Sequence, residues 1–98
     1  MAMNRLQYLL GKLAEECNEV GQRCSKAMQF GLDEVQELQH LTNKERLELE
    51  FNDILVIALL LHDEFGFNNR RLTSSYIEVK KAKIEKYYLY SKSLGMVE

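Results

Sequence analysis

Ninety-eight residues make one domain with a modest core and leave no room for a second. With 46% hydrophobic and 29% charged residues and a net charge of −2, the chain is globular rather than disordered and has no basic excess to coat nucleic acid. The opening residues Met1-Ala2-Met3-Asn4-Arg5 read as the lead into an amphipathic pattern, so no signal sequence is expected, and the apolar run at 54–61 is too short to span a bilayer. A cytosolic protein with no membrane or nucleic-acid partner is expected.

From Asn4 to Phe30, apolar residues fall at Leu6, Leu10, Leu13, Cys17, Val20, Cys24 and Ala27, an alternation of four and three that predicts a helix with a heptad-like seam. Gly31 stands where a left-handed C-cap would end it. Cys17 and Cys24 lie seven residues apart on this helix. Two turns separate their Cα atoms by about 10 Å, beyond the roughly 7 Å limit of a disulfide, so they are expected to be core thiols. Gly11 and Gly21 interrupt the helix at roughly 1 kcal/mol each relative to Ala, and close packing is the return they would offer.

The polar segment Leu32 to Leu41, where Asp33 and Gln36 hint at a cap, is expected to be a connection with some helical character. Thr42 with Glu45 forms a stronger capping box and predicts a second helix from about Asn43 to Phe65, stopped by Gly66. Residues 67–71 read as a turn. Ser75 with Glu78 then predicts a third helix, about Ser75 to Ser91.

The second helix holds the most informative stretch. Glu50 and Asp53 lead into Ile54-Leu55-Val56-Ile57-Ala58-Leu59-Leu60-Leu61, eight apolar residues without Gly or Pro, which predicts a helix apolar on every side. Two long helices and a shorter one cannot surround such a run. The fold expected is therefore all-α, a bundle of three main helices completed by homo-oligomerisation into a four-helix-bundle-like core, as a homodimer or homotetramer.

A carboxylate at the mouth of a buried helix must be hydrogen-bonded, paired or on a cation. Glu16 and Glu19 repeat on the first helix the three-residue spacing of Glu50 and Asp53, and each pair presents two carboxylates on one face. Glu16 is placed at the border of the Leu9, Leu13, Val20 surface, with Glu19 further round beside Arg23. Antiparallel packing lets the two pairs face each other, and their mutual repulsion would be relieved by a divalent cation. An all-oxygen donor set points to Mg²⁺, with Mn²⁺ as the alternative. A single Glu-x-x-Glu is usually a solvated face; two on neighbouring helices carry more weight. On the third helix, Lys80, Lys81, Lys83 and Lys86 read as a basic outer face with the tyrosines turned inward. Lys83 and Lys86, one turn apart, are the candidates to reach phosphate.

Glu15-Glu16-x-x-Glu19 followed by Glu50-x-x-Asp53 resembles the EExxE and ExxD motifs of MazG-like members of the all-α nucleoside triphosphate pyrophosphatase superfamily. In outline the resemblance runs from Leu6 to about Lys86. It implies a tightly associated helical oligomer, and Mg²⁺ held by Glu16, Glu19, Glu50 and Asp53 with Glu15 behind them. It also implies hydrolysis of a nucleoside triphosphate to the monophosphate and pyrophosphate. Glu19 is the residue expected to orient or deprotonate the attacking water. The thirty residues between Glu19 and Glu50 are at or slightly beyond the usual spacer, which leaves base preference open. The competing expectation is a non-catalytic helical interaction module with the same bundle.

Overall fold

The computed structural model describes residues 2–68 and 72–98. Asn69, Arg70 and Arg71, part of the expected turn after Gly66, lie outside the described residues. Among the described residues there are three helices and no strand: α1 (Arg5–Phe30), α2 (Asn43–Phe65) and α3 (Ser74–Ser93). The chain divides into two compact units, Met1–Phe67 and Asn68–Glu98. None of the described helices is long and apolar enough to cross a membrane.

Both long helices begin where their caps dictate. At α1, the Asn4 side chain accepts from the Gln7 amide at 2.8 Å, while Gln7 Oε1 accepts from the Asn4 amide at 3.0 Å. At α2, Thr42 Oγ1 accepts from the Glu45 amide at 3.1 Å and Glu45 Oε1 accepts from the Thr42 amide at 3.2 Å. Each box satisfies two donors that the first helical turn would otherwise leave orphaned. Gly66 closes α2 in the left-handed conformation, φ 74° and ψ 14°. Gly31 closes α1 differently: its φ of 92° and ψ of 158° lie outside the left-handed helical region, in extended backbone open to glycine.

The α1–α2 connection is not helical. Its polar groups are spent instead on fastening the chain across the mouth of the hairpin. The Asn43 side chain donates to the Gly31 carbonyl at 2.8 Å and to Glu34 Oε1 at 3.1 Å, and Arg46 Nη1 donates to Gln36 Oε1 at 2.8 Å. The amides of Asn43 and Lys44 return to the carbonyls of Glu34 and Leu32 at 2.9 and 3.0 Å. These cross-links compete with a helix at 33–36 and win, because they satisfy two elements at once.

α1 and α2 pack antiparallel. Leu9, Ile57 and Leu61 form the buried core, with Leu6, Leu13 and Leu60 packed against it. The inward stripe of α1 is shifted from the expected seam. Leu6, Leu9, Lys12, Leu13, Glu16, Glu19, Val20, Arg23 and Ala27 are the residues withdrawn from solvent, whereas Leu10, Cys17 and Cys24 are exposed. The two cysteines are therefore free surface thiols of this unit rather than core thiols. An added Cβ at Gly11 or Gly21 would meet nothing within 4 Å, so close packing is not their role within the chain.

α2 is likewise covered along one stripe only, from Asn43 through Glu50 and Ile54 to Ile57 and Leu61. Phe51 (51%), Leu55 (61%) and Leu59 (62%) stay exposed although their sequence is apolar throughout.

In the second unit, α3 starts two residues ahead of the expected cap. Thr73 Oγ1 accepts from the Tyr76 amide at 3.1 Å, which puts Ser75 inside the first turn. No residue of α3 is buried. The tyrosines expected to turn inward, Tyr76, Tyr87, Tyr88 and Tyr90, are all exposed.

Candidate metal centre

Half-way along the α1–α2 pair the inward stripes turn acidic. Glu16 stands one turn beyond Leu13 on α1, and Glu50 one turn before Ile54 on α2, so the spacing that buries the leucines also carries these carboxylates between the helices. Glu16, Glu50 and Asp53 each offer one carboxylate oxygen, and the three oxygens lie within 4.8 Å of one another. Glu16 and Glu50 are half-buried; Asp53 is exposed at the rim. The sequence motif thus places the two helices' acids together, with Glu16 inside the packed stripe rather than at its border.

One oxygen of each acid of the inner pair is without a partner. Glu16 Oε2 and Glu50 Oε2 are both out of solvent and accept no hydrogen bond. Arg23 Nη1, further along the same stripe, is also out of solvent and unpaired. Such atoms forfeit their hydration and receive nothing in exchange.

Protonation reflects this crowding. The Glu50 carboxyl is pushed up to about 7, first by burial and then by the neighbouring carboxyls of Glu19 and Glu16. Glu16 is also raised, chiefly by burial, with Glu50 acting to lower it and Glu19 and Asp53 adding repulsion. Glu19 is not one of the three converging residues, yet it is close enough to act on both Glu16 and Glu50. It borders the cluster.

The donor set fits a hard divalent cation. It is all oxygen, it comes from two helices, and it includes two lone-pair-bearing atoms hidden from water without a donor. A Glu-x-x-His spacing, the signature of di-iron bundles, does occur at Glu37 and His40. It falls in the non-helical connection and contributes nothing to the cluster.

Beside the cluster runs an open groove of about 380 Å³. Glu16 and Asp53 line one part of it, Arg5, Tyr8 and Lys12 another, and Leu9, Val56, Ile57 and Leu60 form its apolar surface. Lys12 Nζ pairs with Glu15 Oε2 at 3.2 Å and stands 5.8 Å from the centre of the Tyr8 ring. Sequence reasoning passed over these residues. Their signal was the four-residue stagger Tyr8, Lys12, Glu16, which aligns them on one helix face. Lys83 and Lys86, the expected phosphate contacts, are exposed residues of α3 in the second unit, and Lys86 Nζ lies 5.9 Å from the Tyr87 ring centre.

No protein-family model matches the chain, and no curated protein or solved structure matches it either.

Proposed function

We propose that the protein is a Mg²⁺-dependent nucleoside triphosphate pyrophosphohydrolase of MazG-like type, with Mn²⁺ able to replace Mg²⁺. The observation that carries this reading is the meeting of Glu16, Glu50 and Asp53 across the α1–α2 seam, with hidden carboxylate oxygens that no protein donor serves. A cluster serving only solubility has no reason to bury its acids. The EExxE and ExxD motifs supply the reaction class.

In this reading Glu16 and Glu50 hold the cation from opposite helices, Asp53 holds it at the rim, and Glu19 is the fourth acid. When bound, the cation neutralises the charge of the phosphate chain and aligns it for attack by water. Glu19, which borders the cluster, orients that water and takes its proton. Ile57 and Leu60 give the groove beside the cluster an apolar surface. Release of pyrophosphate leaves the monophosphate.

The same proposal includes self-association. Phe51, Leu55 and Leu59 on α2, together with Leu10 on α1, leave apolar side chains in water. A second copy covering them completes a four-helix core in a homodimer or a pair of dimers.

The test is a panel of ribo- and deoxyribonucleoside triphosphates with pyrophosphate detection. Release from at least one member, lost in Glu50→Gln and in Asp53→Asn, is expected. Activity retained in both variants removes the ligand assignment. A parent protein that releases no pyrophosphate from any member leaves the helical interaction module as the better reading.

A further inference from the structure

We infer that the groove formed by Tyr8 and Lys12 beside the acidic cluster is the substrate subsite. In it, Lys12 receives a phosphate and the Tyr8 ring stacks on the planar base of a nucleotide. The inference rests on the metal reading above and names residues that neither the acidic motifs nor the lysines of α3 supply.

The argument begins with order along α1. Lys12 stands one turn from Glu16, about 6 Å along the axis, and Tyr8 two turns from it, about 12 Å. Read outward from the carboxylates, the face presents acid, then cation, then aromatic ring. A nucleoside polyphosphate has the complementary order: phosphates that bind a hard cation, then a sugar, then a planar base. Val56 and Leu60 of α2 offer the groove an apolar wall, suited to a sugar and base but not to bare phosphate.

Lys12 is poised to exchange partners. Its ammonium is shared between the exposed Glu15 carboxylate at 3.2 Å and the Tyr8 ring at 5.8 Å. Both are weak attachments: an exposed ion pair contributes under about 1 kcal/mol, and an exposed cation–π contact is of similar size. A phosphate held beside Glu16 therefore draws the ammonium away at little cost. That movement also uncovers the ring face that Lys12 occupies, so phosphate capture and base stacking are linked. Arg5 is less available, because Glu64 holds it by two bonds of 3.0 Å; it closes the far end of the groove.

The sign of the site sets the order of binding. Without a cation, Glu16, Glu19 and Asp53 repel a polyphosphate, and Lys12 alone does not offset them. Nucleotide binding should accordingly require the divalent ion.

Isothermal titration of the full chain separates the parts, with Mg²⁺ alone, inorganic triphosphate plus Mg²⁺, and a non-hydrolysable imido nucleoside triphosphate plus Mg²⁺ as probes. For Lys12→Gln, about tenfold weaker binding of both phosphate probes is expected, with Mg²⁺ binding retained. For Tyr8→Ala, weaker binding of the nucleotide alone is expected, on the order of fivefold to tenfold, with Tyr8→Phe restoring it. Unchanged nucleotide affinity in Lys12→Gln and Tyr8→Ala, in protein that still binds Mg²⁺, overturns the groove assignment and leaves the metal reading standing. A parent chain that takes up no Mg²⁺ overturns both.

Discussion

Glu16 and Glu50 face each other across the α1–α2 seam, each with an Oε2 atom that is out of solvent and bonded to nothing. Two carboxylates so placed cannot both ionise cheaply, and near neutral pH a proton on Glu50 relieves the conflict.

Stability of the metal-free protein should therefore fall with rising pH. The Glu50 carboxyl goes from an ordinary value of 4.5 to about 7 on folding, so its favourable contribution is complete below about pH 4.5 and is lost as the pH passes 7. Glu16 moves in the same direction. Glu50→Gln, which stays neutral, is expected to be more stable than the parent at pH 8 by roughly 1–2 kcal/mol, after discounting for residual solvent around the carboxyl. Urea melts of both proteins in chelator at pH 5.5 and pH 8 measure the difference, which should be smaller at the lower pH and vanish only below about pH 4.5.

Millimolar Mg²⁺ should reverse that trend. A cation bound by the ionised carboxylates would release the Glu50 proton and stabilise the fold by mass action, about 2.7 kcal/mol at a hundredfold excess over its dissociation constant. A rise in melting temperature at pH 8, abolished by chelator and by Glu16→Gln, is expected by scanning calorimetry. Sodium chloride at equal ionic strength should not reproduce it.

The core is thin enough that one truncation is decisive. Leu61 is 2% exposed and packs with Leu9 and Ile57, and Leu61→Ala is expected to cost about 2–4 kcal/mol. Chemical denaturation measures it, and the site's carboxylates are untouched by the change.

Leu55→Glu with Leu59→Glu should leave single chains. Both side chains are exposed, so neither substitution disturbs the α1–α2 core, but each puts a charge on the face assigned to a second copy. Sedimentation velocity should show the parent as a dimer or larger and the double variant as a monomer.

Most of the fold was readable because its signals were local. Asn4, Gly31, Thr42 and Gly66 mark the ends of α1 and α2 by chemistry that a few neighbouring residues settle. The ends of the connection and of α3 were harder. Asn43 reaches back twelve residues to the Gly31 carbonyl, a partner no window reveals, and Thr73 took the cap that Ser75 also fitted.

The register of α1 was the subtler case. Leu6, Leu10, Leu13, Cys17 and Leu6, Leu9, Leu13, Glu16 are both alternations of three and four, and hydrophobicity favours the first. The second wins because Leu9 meets Ile57 and Leu61, and it draws Glu16 in with it. The acidic pairs were legible by their spacing; the groove beside them was not, since Tyr8 and Lys12 match no motif.

The hairpin is clipped at both extremities, by Arg5 with Glu64 where the helices would otherwise part and by Asn43 with Gly31 at the turn. Between these clips, like charges strain against one another like a drawn bow. Whatever neutralises that tension finds its berth already spanned from both sides.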